Sequence, residues 1–123
     1  RAGVYFEASD FYRDHSNADN MAEAVGKAEA IAPDDRRLKF YKGVLLVVQK
    51  RNPGEAETLL KSYIATVPDN SDFPPHSVAR EWQGKLYESL GRFSEAAEAY
   101  RQALSLDPHN KQVEEELKRI QKK

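Results

Sequence analysis

Residues Ser77–Asn110 read SVAREWQGKLYESLGRFSEAAEAYRQALSLDPHN. Two helical patterns lie in this stretch, hinged at Gly91 and stopped at Pro108. Two helices in a tight hairpin need small residues where their backbones come closest, and Gly84, Ala96 and Ala103 supply them. Tyr87 and Tyr100 fill the volume on either side. Gly91 follows Leu90 where a helix ends best with a left-handed residue. Ser94 stands where it can cap the next helix. Pro108 cannot continue a helix and biases Asp107 out of helical geometry.

Taken together, Gly84, Tyr87, the Gly91-Arg92-Phe93 turn, the Ala96/Tyr100/Ala103 series and the closing Asp107-Pro108-His109-Asn110 resemble a tetratricopeptide repeat. Such helix–turn–helix units stack into solenoids. Arg80 and Gln83 depart from the pattern, standing where the family usually has Trp and Leu; Trp82 is nearby in a different phase. An ordinary helical hairpin with a chance match is the alternative reading. The resemblance implies an all-α fold, a right-handed α-solenoid of about three repeats plus a C-terminal capping helix.

Working outward, the preceding chain carries weaker versions of the same pattern. From Ala2 to about His15, Tyr5, Ala8 and Tyr12 fall at helical spacing. Ser16 to Asn20 offers turn and N-cap residues. Met21, Ala24, Val25, Ala28 and Ile31 give a second helix, ended by Pro33. The pair resembles a degenerate first repeat with Ser9 at the close-approach position. Asp34 and Asp35 can cap and charge a third helix, Arg36 to about Arg51. Its apolar residues, Leu38 to Val48, wrap most of the circumference, so cover on more than one side is expected. Asn52-Pro53-Gly54-Glu55 is a helix start, and Ala56, Leu59, Leu60, Tyr63 and Ile64 continue it to Pro68.

Pro33, Pro68 and Pro108 are 35 and 40 residues apart, near the family period of ~34. The span from Gly43 to Ala56 is one residue longer than that from Gly84 to Ala96, so the second repeat has a longer inner turn. Residues 69–76, with Pro74-Pro75, read as an extended insertion loop with Phe73 tucked against the scaffold. Val113, Leu117 and Ile120 form one narrow apolar stripe on a last helix, 111–122, as a terminal solenoid helix needs. The expected organisation is a single domain over 1–123, with repeats at about 2–35, 36–70 and 77–110. The start at Arg1, without Met, reads as a fragment or processed form, with further repeats or an anchor before it.

Charged residues make up 32% of the chain and the formal net charge is −1, which gives no global attraction to nucleic acid or anionic membranes. Direct membrane insertion is not expected, since no apolar run approaches the ~20 residues a bilayer requires. There is no cysteine, which excludes disulfides and thiolate metal sites but leaves a cytoplasmic or exported location open. His15, His76 and His109 are far apart and each falls at a helix end or loop. The acidic runs Asp34-Asp35 and Glu114-Glu115-Glu116 suit capping and solvation, and no phosphate loop or nucleophile elbow occurs. The basic cluster Arg36, Arg37, Lys39 and Lys42 reads as a solvated face. No enzyme activity, cofactor or metal is expected.

In this family function is typically protein or peptide binding on the concave surface lined by the first helix of each repeat. Carried onto this sequence, the resemblance implies a face of Phe6, Asp10 and Arg13 in the first repeat. The second contributes Arg37, Phe40, Val44 and Val47, and the third Val78, Glu81, Lys85 and Glu88. Phe6, Asp10 and Phe40 argue against a grip on a peptide carboxylate, which needs Lys, Asn and Arg there. Two readings of Phe40, Val44 and Val47 stay open: the apolar centre of a peptide groove, or covered core. A structural or self-association module, whose apolar third-helix face pairs with another copy or with missing repeats of the parent protein, is the alternative function.

Overall fold

The computed structural model describes residues 1–123, and they form seven α-helices with no strand. These are α1 Ala2–Asp14, α2 Ala18–Ile31, α3 Arg37–Gln49, α4 Pro53–Thr66, α5 His76–Ser89, α6 Phe93–Leu106 and α7 Lys111–Ile120. The seven helices are the ones the sequence leads one to expect. None is long and apolar enough to cross a membrane. The chain divides into two compact units, Arg1–Tyr63 and Ile64–Lys123.

In the second unit, α5 and α6 pack face to face because Gly84 has no side chain. A methyl group placed there would lie 2.5 Å from Cε1 of Tyr100. Tyr100 is fully buried, and Ala96, Ala99 and Ala103 beside it keep the helices close. The first unit repeats the arrangement between α3 and α4, where a methyl group at Gly43 would meet Leu60 Cγ at 3.1 Å. In α1 the equivalent position holds Ser9, completely buried with its hydroxyl unpartnered.

Each of these three positions is followed seven residues later by a left-handed residue that ends the helix. Ser16 has φ 55°, Lys50 φ 56° and Gly91 φ 73°. All three turns close with the same pair of backbone bonds. Arg92 N–H reaches Tyr87 O at 2.9 Å and Gly91 N–H reaches Glu88 O at 3.0 Å. Asn17 to Tyr12 with Ser16 to Arg13, and Arg51 to Leu46 with Lys50 to Val47, repeat it. This is the Schellman closure, which satisfies carbonyls the helix end would otherwise leave open. Only the third turn has the glycine that makes the geometry free of steric cost. The second turn holds the extra residue, and Asn52 in it also takes a positive φ, 45°.

Side-chain caps form at α2 and α7 but not at α1, α3, α5 or α6; the N-cap of α3 is Arg36, and Asp35 takes the Arg37 N–H instead of capping the helix. Asn17 accepts from Asn20 N–H and Asn110 from Val113 N–H, each at 3.1 Å. Ser94 does not cap α6; it lies inside the first turn, and Arg92 holds the N-cap position without a side-chain bond. The Schellman closure fixes the backbone at Arg92 and so starts the helix two residues earlier than a Ser94 cap would. The Arg92 guanidinium grips Glu95 through two contacts of 2.7 Å instead.

In the first unit Phe6, Met21, Val25, Ala28, Leu60 and Tyr63 are among the buried side chains. In the second, α7 lays Val113 and Ile120 on the α5–α6 cluster, with Leu104 and Leu117 alongside. The segment between α4 and α5 is tied by His76. Its backbone N–H donates to Asp69 Oδ1 at 3.1 Å and its Nε2–H to the Val67 carbonyl at 2.6 Å. Phe73 in that segment is half-buried.

Two outcomes follow for stability. Gly84→Ala drives a methyl group into the Tyr100 ring and should cost about 1–3 kcal/mol, the usual range for overpacking. Urea unfolding checks it; an unchanged midpoint would mean Tyr100 moves aside freely. Lys50→Gly should do the reverse and stabilise the chain by about 0.5–1 kcal/mol, because it removes the steric cost of a left-handed Lys. A lower melting temperature for that variant would show that the Lys50 side chain contributes more than its backbone costs.

Candidate partner-binding face

In the first unit, α1 and α3 lie against one another and their facing side chains form a connected set. The Phe6 ring stacks on Tyr41, centroids 4.6 Å apart, and the Arg37 guanidinium covers Phe6 at 4.5 Å. Arg37 is held from behind by Asp35. Nε donates to Oδ1 at 3.0 Å, Nη2 to Oδ2 at 2.7 Å, and the Arg37 backbone N–H to Oδ1 at 2.9 Å. The fork-on-carboxylate geometry is the strong form of this interaction. It holds the Asp35 carboxyl below the usual carboxylate range.

One turn further along α1, the Tyr41 hydroxyl donates to Asp10 Oδ2 at 3.0 Å, and Arg13 Nη1 pairs with Asp10 Oδ1, also at 3.0 Å. Burial pushes the Asp10 carboxyl up, against the pull of Arg13 and the Tyr41 hydroxyl. Burial and the neighbouring carboxylate push the Tyr41 phenol up as well. The raised phenol stays protonated and so remains a donor to the Asp10 carboxylate.

The sequence places Phe6, Phe40 and Val44 on the binding face, but the fold covers them. They are 2%, 1% and 0% exposed within the single chain. Tyr41 and Arg37 cover Phe6, and Phe40 meets the rings of Tyr41 and Tyr63 at 5.0 and 5.5 Å. For Phe40 and Val44 the core reading therefore replaces the groove reading. Val47, one turn on, is half-buried and keeps a surface, as do Asp10, Arg13 and Arg37.

In the second unit Val78, Glu81, Lys85 and Glu88 are all half-buried along α5. Lys85 Nζ approaches Glu81 at 3.9 Å and lies over the Trp82 ring at 5.5 Å. Glu88 is engaged within the unit: it accepts from the Tyr100 hydroxyl at 3.0 Å and pairs with Arg119 of α7. Burial, then the Glu88 charge, raise the Tyr100 phenol.

Sequence reasoning missed Tyr41, Asp35 and Arg119 as the groups that position Arg37, Asp10 and Glu88. Asp35-x-Arg37 carried a local signal, since a side chain at the helix start can fold back on its second neighbour. Tyr41 to Asp10 and Arg119 to Glu88 span 31 residues in both cases, and no local pattern announces them. The histidines are not brought together into one cluster by local bonds: His15 Nδ1–H donates to the Phe11 carbonyl at 2.8 Å, His76 is tied to Val67, and His109 is exposed.

Residues 78–110 match the family model described as the tetratricopeptide repeat. Among solved structures, the NMR structure of the first TPR domain of the human RPAP3 protein is similar, with a TM-score of 0.74 at 21% identity. The likeness covers 98% of this chain and 90% of that one, and at this identity it establishes the fold. No curated protein sequence matches the chain.

The Asp35 clamp has a pH signature. Its folded pKa lies below the unfolded value near 3.8, so its stabilisation is complete above that pH and is lost as pH falls through the folded value. Asp35→Asn should therefore cost about 1–3 kcal/mol at neutral pH. The gap between variant and wild type should close as the solution is acidified through the lowered folded pKa of Asp35. Melting curves from neutral to strongly acidic pH check it; a gap constant with pH would show that the carboxylate charge is not what holds Arg37.

Proposed function

We propose that this chain is a tetratricopeptide-repeat domain and a non-catalytic interaction module that binds a protein or peptide segment through its first helices. Tetratricopeptide repeats serve generally as protein-interaction scaffolds. We read residues 1–123 as one such domain of three repeats, 2–35, 36–70 and 77–110, followed in sequence by the capping helix. The observation that carries the binding face is its surface chemistry. Asp10, Arg13, Arg37 and Val47 on α1 and α3, and Val78, Glu81 and Lys85 on α5, remain half-exposed with both charge signs and some apolar surface. Mixed polar and apolar surface of this kind is usual for non-obligate protein recognition.

Self-association through the third helix has less support. The apolar side chains that prompted it, Phe40 and Val44, are already covered within one chain. Site-specific photocrosslinking tests the binding reading. A photoreactive residue at Val47 or Lys85 should capture a partner chain in its native extract, and one at the exposed Thr58 of α4 should not. Lys85→Glu should reduce that capture about tenfold or more, as loss of a central contact does, with the helical circular dichroism intact. Equal capture from Thr58, or no loss with Lys85→Glu, would move the site off the first helices.

A further inference from the structure

A charged contact joins α7 to α5, Arg119 on Glu88. The two Glu88 oxygens divide their work. Oε1 accepts from the Tyr100 hydroxyl at 3.0 Å, and Oε2 takes the Arg119 guanidinium. Opening a buried ion pair normally strands a charge, at a cost that keeps such pairs closed. This pair is built differently, because each end has a second partner on its own side. Arg119 Nη2 also lies 3.3 Å from Glu116 Oε2, one turn back on α7. Glu88 keeps the Tyr100 phenol. Both groups also reach water, the Arg119 side chain 47% exposed and that of Glu88 19%. The contact therefore opens without leaving either charge alone.

Apolar packing holds α7 more lightly than the helices beneath it. Two residues of α7 are buried, Val113 and Ile120, against five each on α5 and α6. They join a cluster to which α6 gives Tyr100 and four alanines, whose methyl groups supply little apolar area. An element held by few buried apolar side chains opens locally at lower free energy than its neighbours. Glu88 lies two turns beyond Glu81 on one line of α5, with Lys85 between them. The α5 part of the proposed binding face thus runs up to the carboxylate that holds α7.

We propose that Glu88 Oε2 is an exchange point: Arg119 holds it in the free chain, and a Lys or Arg side chain of a protein bound along α5 takes it and releases α7. The cationic class follows from the acceptor. Oε1 already has its donor, and the place that Arg119 vacates on Oε2 is shaped by a guanidinium. The inference rests on the α5 part of the binding face proposed above. Both cations compete for one oxygen, so the coupling is reciprocal: loosening α7 strengthens binding by the factor by which binding loosens α7.

Amide hydrogen exchange of the whole labelled chain, followed by NMR, reads α7 directly. Glu88→Gln keeps an acceptor for Tyr100 and removes the charge that holds Arg119. Amides of residues 115–120 should then exchange about threefold to fivefold faster, the size of one partly exposed ion pair. Those of α5 and α6 should keep their rates. Arg119→Gln should do the same, and the double variant no more than either alone. If Glu88→Gln loses its helical circular dichroism, Arg119→Gln, on the outside of α7, makes the same break. A short peptide of alternating arginine and glycine is then added to the wild type, with its citrulline counterpart as the uncharged control. The arginine peptide should shift the amides of residues 85–90 and speed exchange at 115–120; the citrulline peptide should do neither. It should also bind Arg119→Gln about threefold more tightly than wild type, the reciprocal effect. Unchanged α7 exchange in both single variants would overturn the proposal, as would an arginine peptide that shifts no α5 amide. So would one that shifts residues 85–90 and leaves α7 exchange as it was. Photocrosslinking from Lys85 reads the binding face without reference to α7, so the two readings fail separately.

Discussion

The contact of the Gly84 backbone with the Tyr100 ring is the constraint on which the second unit depends. A hydrogen atom on one helix lets a fully buried aromatic ring on the other lie close against its backbone. Three consequences follow from that closeness. The ring fills the hairpin, so α6 needs only alanines around it. The Tyr100 hydroxyl is carried through to Glu88 on α5, and Glu88 also takes Arg119 from α7. One aromatic side chain thus sets the spacing of α5 and α6 and the anchor of α7. The same position and the same seven-residue step to a left-handed turn recur at Gly43 and Ser9, with poorer chemistry each time. Ser9 leaves a buried hydroxyl unpartnered, and Ser16 and Lys50 do the work that glycine does at Gly91. Backbone geometry is held constant while side chains drift around it, because the hydrogen-bonded turn dictates where the next helix begins.

Buried polar groups follow a second regularity. In each unit a tyrosine hydroxyl reaches from one helix to a carboxylate on another: Tyr41 to Asp10 and Tyr100 to Glu88. In each case an arginine sits on the carboxylate's other side, Arg13 or Arg119. A carboxylate with a phenol donor and a cation satisfies most of its acceptor capacity, which makes its partial burial tolerable. The phenols are pushed upward by burial and by these charges, so they stay donors throughout the range in which the carboxylates are ionised.

What the sequence made legible divides along the same physical line. The seven helices were readable because prolines, turn residues and helical spacing are local properties. Gly84 was readable as a close-approach site because only glycine lacks a side chain to obstruct it. Ser94 was misread as a cap because the start of α6 is set by a bond between Arg92 and Tyr87, a feature of the closed turn and not of the residue. Phe40 and Val44 were ambiguous for a different reason. Periodicity places a residue on a face, but it does not say whether that face is covered. Coverage comes from contacts such as Phe40 on Tyr63, 23 residues away, and Leu38 to Val48 gives no local sign of which apolar side chains those contacts take.

Coverage also decides which candidate residues are free to act on a partner. Glu88 lies on α5, whose residues Val78, Glu81 and Lys85 are proposed to bind a partner, but it is occupied by Tyr100 and Arg119; drawing it to a partner would loosen α7. Arg37 is different, since Asp35 and the Phe6 ring fix its guanidinium without filling every donor position. A side chain held by its neighbours and still open to solvent loses little entropy on contact. Interfaces draw their strongest residues from arginines and aromatics. The residues most able to discriminate between partners are therefore those the fold has already immobilised for its own packing.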